Sequence, residues 1–464
     1  MGTSPSTINY PPYLDVLPYS GVINADVVLP GSKSISNRAL ILAALGNGPV
    51  TLSNMLFSRD TEIMMSALRQ LGFSLQVDAQ QLTVQITGQN GKIPQKSARI
   101  HVGNAGTAAR FLTAFLALQE DGVYYMDGDE AMYRRPMSGL LSALESQGCE
   151  IEYHGQSGHF PFTLKSNGLR GGTLRLDASE SSQILSALLM VGPFSHTPLN
   201  LELTGPTVSW PFVEITLKMI EEFGLGTTQV SSDHSRFTSV ATKGKSNPTE
   251  YAIEPDITAA SYFMVLPLVH GGQIRFPQLT QSDVKQGDIA FASVLQQLGV
   301  EIVWDNVRGL TLSVPSPQAW KSNRRTSTNT HDYDFNAFSD TFLTLAALAP
   351  LYSESISIRG IAHTRKQETD RVSAMATELR KIGISVSESE DQLSIAATSD
   401  YHPPHPLSPI HTYEDHRVAM SFGILSTWDA LGNGQPWLRI EDPGCCRKTF
   451  PHFFSVLEQT LGRA

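Results

Sequence analysis

The chain has 464 residues, 41% of them hydrophobic and 17% charged, and a formal net charge of −10. That length exceeds one ordinary core and suits two domains or a large repeat architecture. The acidic balance argues against a general nucleic-acid or anionic-membrane binder, so an anionic ligand would have to meet a local cluster of Arg and Lys.

Residues 1–9 are small and polar, and a frayed end is expected there. An alternating run at 25–29 leads into PGSKSISNR at 30–38 and then an apolar run at 39–45. Pro-Gly signals a turn and Ser32 suits a helix N-cap, so the stretch predicts strand, tight turn and helix. Lys33, Ser34 and Arg38 would then flank the free N–H groups of a helix start, an arrangement that suits an anion. A capped helix with solvated basic residues fits this stretch alone equally well.

Internal similarity dominates the rest. Amphipathic helical patterns recur at 60–73, 136–148, 211–224, 288–299, 370–383 and 451–462, each with a Gly where a helix C′ residue belongs. A more apolar helix precedes each, at 34–45, 104–118, 181–191, 258–269, 340–351 and 415–428. These are rich in Ala and Leu around most of their circumference and should be buried. Alternating strand patterns follow, for example at 74–87, 149–165, 300–314 and 384–395. Each unit reads as β-α-β-α-β-β, and units start about every 70–80 residues, longer than common solenoid repeats. One such unit cannot close a core, whereas three around a shared axis can, with helices inside and sheets outside. The expected organisation is an α/β (α+β) chain of two three-repeat domains, an inside-out α/β barrel in each. Residues 32–254 form the first, and 1–31 with 255–464 form the second. The polar insertion at 315–334, with its basic KSNRRTS, is expected to be an exposed loop.

No apolar run reaches the roughly 18 residues of a membrane span. No Lys or Arg precedes Lys33, which speaks against a secretory signal or basic transit peptide. Three cysteines, two of them adjacent at Cys445 and Cys446, make neither a disulfide framework nor zinc spacing. His402, His405 and His411 lie among prolines without a carboxylate pattern and read as a solvated loop. A cytoplasmic protein without a bound metal is expected.

Polar residues gather where the apolar helices begin: Lys33, Ser34 and Arg38; Asn104, Thr107 and Arg110; Ser181, Ser182 and Gln183; Asp340; Asp415, His416 and Arg417. Capping explains the Ser, Asn and Asp residues. It does not explain the cations, each of which opposes the helix dipole by about 0.3–1 kcal/mol. Repetition of that cost points to an anion held between the units. Further charged clusters, 134–136, 365–371 and 447–451, precede amphipathic helices and should face one way. Many cations with a few carboxylates, chiefly Asp340 and Glu368, suit a multiply anionic ligand and acid–base chemistry.

In these residues the chain resembles the 5-enolpyruvylshikimate-3-phosphate synthase family. The motifs are PGSKSISNRAL at 30–40, GNAGTAARF at 103–111, RRP at 134–136, SSQIL at 181–185, ETDR at 368–371, EDHRVAM at 414–420 and RKTFP at 447–451. The resemblance implies two domains that close over phosphoenolpyruvate and 3-phosphoshikimate, with the site in the interdomain cleft and neither metal nor cofactor. It assigns phosphoenolpyruvate to Lys33, Gly106, Arg135, Gln183, Arg371, Arg417 and Lys448. It assigns the acceptor to Lys33, Ser34, Arg38, Ser181, Ser182, Gln183, Ser209 and Asp340, with His363 and Gln367 at positions on the same side. Asp340 would take the hydroxyl proton, and Lys33 and Glu368 would deliver and remove the methylene proton. The family also implies glyphosate sensitivity, because Gly106 leaves room for the inhibitor.

Three positions depart from the family pattern, all on the acceptor side: Gln367 replaces a usual Lys, His363 a frequent Asn and Phe212 a usual Tyr. Either Lys366 or His363 supplies the missing contacts, or the acceptor is a different hydroxyl compound. A non-catalytic binding protein on this fold is the third reading, opposed by intact Lys33, Asp340 and Glu368. The relative acting on a UDP-amino sugar uses a loop Cys as an acid, and the stretch 121–136 has none. A monomer is expected.

Overall fold

The structure, a computed structural model, describes residues 8–179, 181–205, 208–242, 246–280, 284–315, 330–398 and 401–463. The basic stretch at 321–327 therefore lies outside the described residues, and the end of the insertion expected as a loop at 315–334 is instead the strand Thr330–Asp334, parallel to Ser355–Arg359.

The chain divides into two compact units. One contains Gly31–Glu254, and the other joins Ser6–Pro30 to Pro255–Ala464. Each has its own apolar core.

The repeat is explicit in the sheets. In the second repeat Ser97–His101 runs parallel to Glu120–Asp127, which pairs antiparallel with Phe162–Asn167, itself in a hairpin with Glu150–Tyr153. The third repeat follows the same plan with Gly172–Leu176, Leu199–Leu203, Arg236–Ala241 and Gly226–Val230. The first repeat corrects a simple reading of the unit. Its leading strand is not the one before residue 30 but Glu250–Ala252, parallel to Asn47–Ser53. Ile23–Asp26 instead pairs parallel with Gly272–Phe276 in the second unit. A strand from the end of each unit's chain thus occupies what would otherwise be an open parallel edge. Similarly, Tyr13–Asp15 lies antiparallel on Leu438–Glu441, where Arg439 grips Asp15 through two 2.7 Å bonds.

The apolar helices form as their composition requires. In Lys33–Leu45 every residue from Ile35 onward is buried, and Gly106–Leu116 is buried throughout. Leu and Phe side chains fully withdrawn from water contribute roughly 1.5–3 kcal/mol each. The amphipathic helices Arg59–Gln70, Ser138–Ser146, Trp210–Glu222, Phe291–Gln297, Arg371–Lys381 and Phe453–Thr460 cover them. The Gly after each has positive φ, from 64° at Gly224 to 103° at Gly148, the backbone state in which a Cβ is disfavoured.

Two apolar helices are less regular than their patterns predict. The fourth breaks into Ile257–Met264 and Leu266–His270, with Pro267 unable to donate into the ladder. The fifth begins as the 3-10 segment Asn336–Thr341, continues as Phe342–Ala347 and closes through Ala349–Leu351 at Pro350. Asp340 therefore sits in a 3-10 turn ahead of the α-helix. Ser32 occupies the N-cap position of Lys33–Leu45 but its side chain makes no cap bond, unlike Ser181, Asp256, Asp370 and Asp415. Among the described residues, no helix is long and apolar enough to cross a membrane.

Candidate functional site

In the first unit the helices Lys33–Leu45, Gly106–Leu116 and Ser182–Val191 pack on one another, which brings their polar starts together. Lys33 Nζ lies 4.0 Å from Oδ2 of buried Asp60. Arg38 is 1% exposed. Its Nε donates to Thr216 Oγ1 at 2.7 Å, Nη1 to Ser34 O at 3.0 Å, and Nη2 to Ser186 Oγ at 3.2 Å and Phe212 O at 3.1 Å. Its guanidinium also faces the Phe111 and Phe212 rings. Every one of these partners is neutral. Burial drives the Arg38 pKa down to about 9, the signature of a cation folded in without a counter-ion.

Arg110 holds Gln183, donating from Nη1 to its Oε1 at 2.9 Å, and its Nη2 reaches Pro136 O at 3.0 Å. Arg135 is buried and donates to Asn104 O at 3.0 Å. Gly106 is what admits it, since a Cβ there would stand 2.5 Å from the guanidinium carbon. Ser181 Oγ accepts from Gln183 N at 3.2 Å and so is partly engaged as a cap. Ser209, also buried, has φ 52° and ψ 49°, a left-handed state in a non-glycine residue of the kind that collects at ligand sites.

The second unit holds a denser cluster. Arg371, 1% exposed, donates from Nε to Asp415 Oδ2 at 2.7 Å, from Nη1 to Asp340 Oδ1 at 2.9 Å, and from Nη2 to Glu368 Oε2 at 2.8 Å. Nη1 also reaches Gln367 Oε1. Arg417 donates from Nη2 to Asp340 Oδ2 at 2.6 Å and from Nη1 to the Tyr262 hydroxyl at 3.2 Å. Lys448 Nζ donates to Glu368 Oε1 at 2.8 Å. Asp340 thus bridges two guanidiniums, and Glu368 bridges a guanidinium and an ammonium. Burial alone would lower the pKa of Arg371, but Asp415, Glu368 and Asp340 more than offset it and hold the group above its ordinary value. Arg417 is raised likewise, chiefly by Asp340 against burial. His363 bonds Ser339 Oγ at 2.8 Å, and burial lowers its pKa despite the nearby Asp340.

This arrangement is poised for exchange. A phosphate or carboxylate ligand that takes over Arg371, Arg417 and Lys448 would release Asp340 and Glu368 as bases.

A sequence profile of the family described as EPSP synthase (3-phosphoshikimate 1-carboxyvinyltransferase) matches residues 19–457. The chain belongs to the EPSP synthase family. It is 44% identical over 455 residues to the 3-phosphoshikimate 1-carboxyvinyltransferase of Opitutus terrae, covering 96% of this chain and 97% of that one. It is 38% identical over 443 residues to that of Trichormus variabilis, covering 95% and 97%. The fold matches EPSP synthase of Acinetobacter baumannii, with a TM-score of 0.74, 22% identity and coverage of 96% and 97%. It also matches the enolpyruvyl transferase NikO of Streptomyces tendae, with a TM-score of 0.72, 15% identity and 96% coverage of both chains.

Of the residues that the family pattern singles out, Lys33, Ser34, Arg38, Gly106, Arg135, Ser181, Ser182, Gln183 and Ser209 lie in the first unit. Asp340, His363, Gln367, Glu368, Arg371, Arg417 and Lys448 lie in the second. The charged run at 365–371 divides in two. Arg365 is a clamp, bonding Asp370, Glu388 and the carbonyls of Ser389 and Glu390. Lys366 is exposed. His402, His405 and His411 are exposed, and no metal-holding cluster occurs among the described residues. Sequence reasoning placed Arg110 and Asp415 at helix starts without their partners, Gln183 and Arg371, and it missed Thr216 and Ser186, which hold Arg38, and Tyr262, which holds Arg417. A cation in the first turns of an apolar helix flags Arg110. A lone hydroxyl on a buried helix flags nothing.

Proposed function

We propose that this chain transfers the enolpyruvyl group of phosphoenolpyruvate to the 5-hydroxyl of 3-phosphoshikimate and releases phosphate. The observation that carries the reading is the bridging of Arg371, Arg417 and Lys448 by Asp340 and Glu368, three buried cations with two exchangeable acids. In the reaction Asp340 takes the proton of the acceptor hydroxyl as its oxygen bonds to C2 of phosphoenolpyruvate, and C3 gains a proton. The C2–O bond to phosphate then breaks as C3 loses a proton. Lys33 and Glu368 are the groups for the two C3 transfers. Arg135, Gln183, Arg371, Arg417 and Lys448 bind the donor, and fixed cations carry the phosphate charge without reorganising. Arg38 supports the acceptor assignment, because a buried guanidinium with only neutral partners gains most from a ligand carboxylate. Ser34, Ser181, Ser182 and Ser209 complete the acceptor contacts. The protein acts as a cytoplasmic monomer.

The test is phosphate release from the full-length protein with both compounds, and with each alone. Release requires the pair; no turnover with the pair refutes the reading. A second reading, an enolpyruvyl transferase for another hydroxyl acceptor, is favoured by Gln367 and Phe212. Gln367 spends its amide oxygen on Arg371, and Phe212 offers a backbone carbonyl and a ring but no hydroxyl. On that reading Gln367→Lys with Phe212→Tyr raises activity on 3-phosphoshikimate from near nothing. A fast native protein rules it out.

A further inference from the structure

The fourth repeat carries a buried acid that the reaction above leaves unused. Asp288 lies in the 3-10 turn Gly287–Ala290 and is 2% exposed. Gln286 ties this turn to the start of helix Ile257–Met264. Its amide nitrogen donates to Pro255 O at 2.7 Å, and its amide oxygen accepts from Ile257 N at 3.2 Å. Asp288 Oδ2 accepts from Thr258 Oγ1 at 2.5 Å. Its Oδ1 has no hydrogen-bond partner, and among the described residues no cation pairs with the carboxylate.

The turn packs against Asn336–Thr341, the segment that carries Asp340. The charged groups facing Asp288 are Asp340 from that segment, Arg417 from helix His416–Leu425, and Asp256 at the cap of Ile257–Met264. Tyr262 on that last helix shares Arg417 with Asp340. The helix that follows, Phe291–Gln297, carries no charge.

Anchoring the turn accounts for one carboxylate oxygen and leaves the other bare, an expensive arrangement for an ionised group. A neutral amide would anchor the same turn at less cost. Burial first, and then Asp340, push the Asp288 pKa up to about 7, while the Thr258 bond and Arg417 act the other way. Two interacting carboxylates raise each other's proton affinity, so the influence on Asp340 is reciprocal.

We infer that Asp288 is a positioning residue that sets the proton affinity of Asp340. Ionised, it strengthens Asp340 as a base and competes with it for Arg417. Protonated, it leaves Asp340 tied to the guanidinium. The inference rests on the assignment of Asp340 as the base in the proposed function.

The experiment is a pH profile of kcat on the full-length protein, beside melting curves. Asp288 passes from mostly protonated to mostly ionised across neutral pH, so native kcat rises through an inflection there. Asp288→Asn holds the neutral form. It is expected to lose the inflection and to run about tenfold below the native rate at pH 8. The folded pKa lies above the unfolded value, so ionisation costs stability as pH rises from 3.8 towards 7. Asp288→Asn should therefore melt above the native protein at pH 8. Thr258→Val removes the bond that lowers the Asp288 pKa and should move the inflection to higher pH. An Asp288→Asn protein that keeps the inflection, melts lower or does not fold overturns the inference, as does an unmoved inflection in Thr258→Val. If the native protein never turns over the substrate pair, the proposed function fails instead, and the melting comparison still reports on Asp288.

Discussion

Gly106→Ala tests the donor side of the site with one carbon. Gly106 is the first residue of its helix and its φ is unexceptional, so space alone excludes a side chain. A Cβ would lie 2.5 Å from the Arg135 guanidinium carbon and Nη2 and 2.7 Å from Nη1. Carbon contacts settle at about 3.5–4.0 Å, so the guanidinium must retreat by roughly 1 Å. Arg135 is 6% exposed, and its Nη1 bond to Asn104 O at 3.0 Å holds it where the methyl would go. A shift of that size breaks the bond and misdirects the group from a donor carboxylate or phosphate. One hydrogen bond to a charged ligand is worth about 1.5–3 kcal/mol, or roughly 10- to 150-fold in binding. The expected result is a KM for phosphoenolpyruvate raised by about that factor, with the acceptor KM nearly unchanged and Tm within a few degrees. Glyphosate, if it occupies the donor place, should lose potency in parallel. Steady-state phosphate release with each substrate varied in turn is the assay. A native KM for phosphoenolpyruvate in Gly106→Ala would refute the assignment of Arg135 to the donor.

Arg38→Met should separate binding from stability. The folded pKa of Arg38 lies below its unfolded value, so its charge costs stability at every pH below about 9 and the cost fades above it. Its hydroxyl partners keep one another, with Thr216 Oγ1 2.9 Å from Ser186 Oγ and 2.8 Å from Phe212 O. Tm at pH 7 should hold or rise while the acceptor KM rises about 100-fold or kcat is lost; a marked fall in Tm would mean that Arg38 is a structural pin. Glu368→Gln keeps the shape but removes the acid between Arg371 and Lys448, so kcat should fall about 10²- to 10⁴-fold while the donor, with one acid fewer to displace, binds at least as tightly. Native kcat in that variant would remove Glu368 from the proton transfers.

The parts of the fold legible in the chain are those that local chemistry dictates. Six glycines at helix ends have positive φ because only that residue turns there cheaply, and the Ala- and Leu-rich helices are buried because nothing in them asks for water. What pairing decides was not legible. The sequence assigns residues 1–31 to the second domain, but no local signal says which strand Ile23–Asp26 lies beside there, or that Glu250–Ala252 takes the place beside Asn47–Ser53. The irregular start of the fifth helix was hidden as well, because the segment around Asp340 reads as ordinary helix until Phe338 departs to φ −137° and ψ 42°. In the site, Arg371, Arg417 and Lys448 stood out as cations at helix starts. The acids that bridge them depend on long-range packing that brings residue 340 to 371 and 417, and residue 368 to 448.

The two units solve the problem of a buried cation differently, and the difference bears on order. In the second unit the guanidiniums and the ammonium have internal carboxylates, so a ligand anion gains only the difference between its own contacts and those it displaces. In the first unit Arg38 has no such substitute, and a ligand carboxylate meets a charge that is already desolvated and held by four bonds. Its gain is therefore not discounted by a displaced acid. An acceptor bound through Arg38 should be the stronger binder in isolation. The donor should bind well only when something else, such as a hydroxyl presented to Asp340, offsets the loss of the bridges. Acceptor first and donor second is the sequence that these contacts favour. Isothermal titration should then show phosphoenolpyruvate binding weakly alone and at least tenfold tighter beside the acceptor, and equal donor affinity in both conditions would contradict the placeholder role of Asp340.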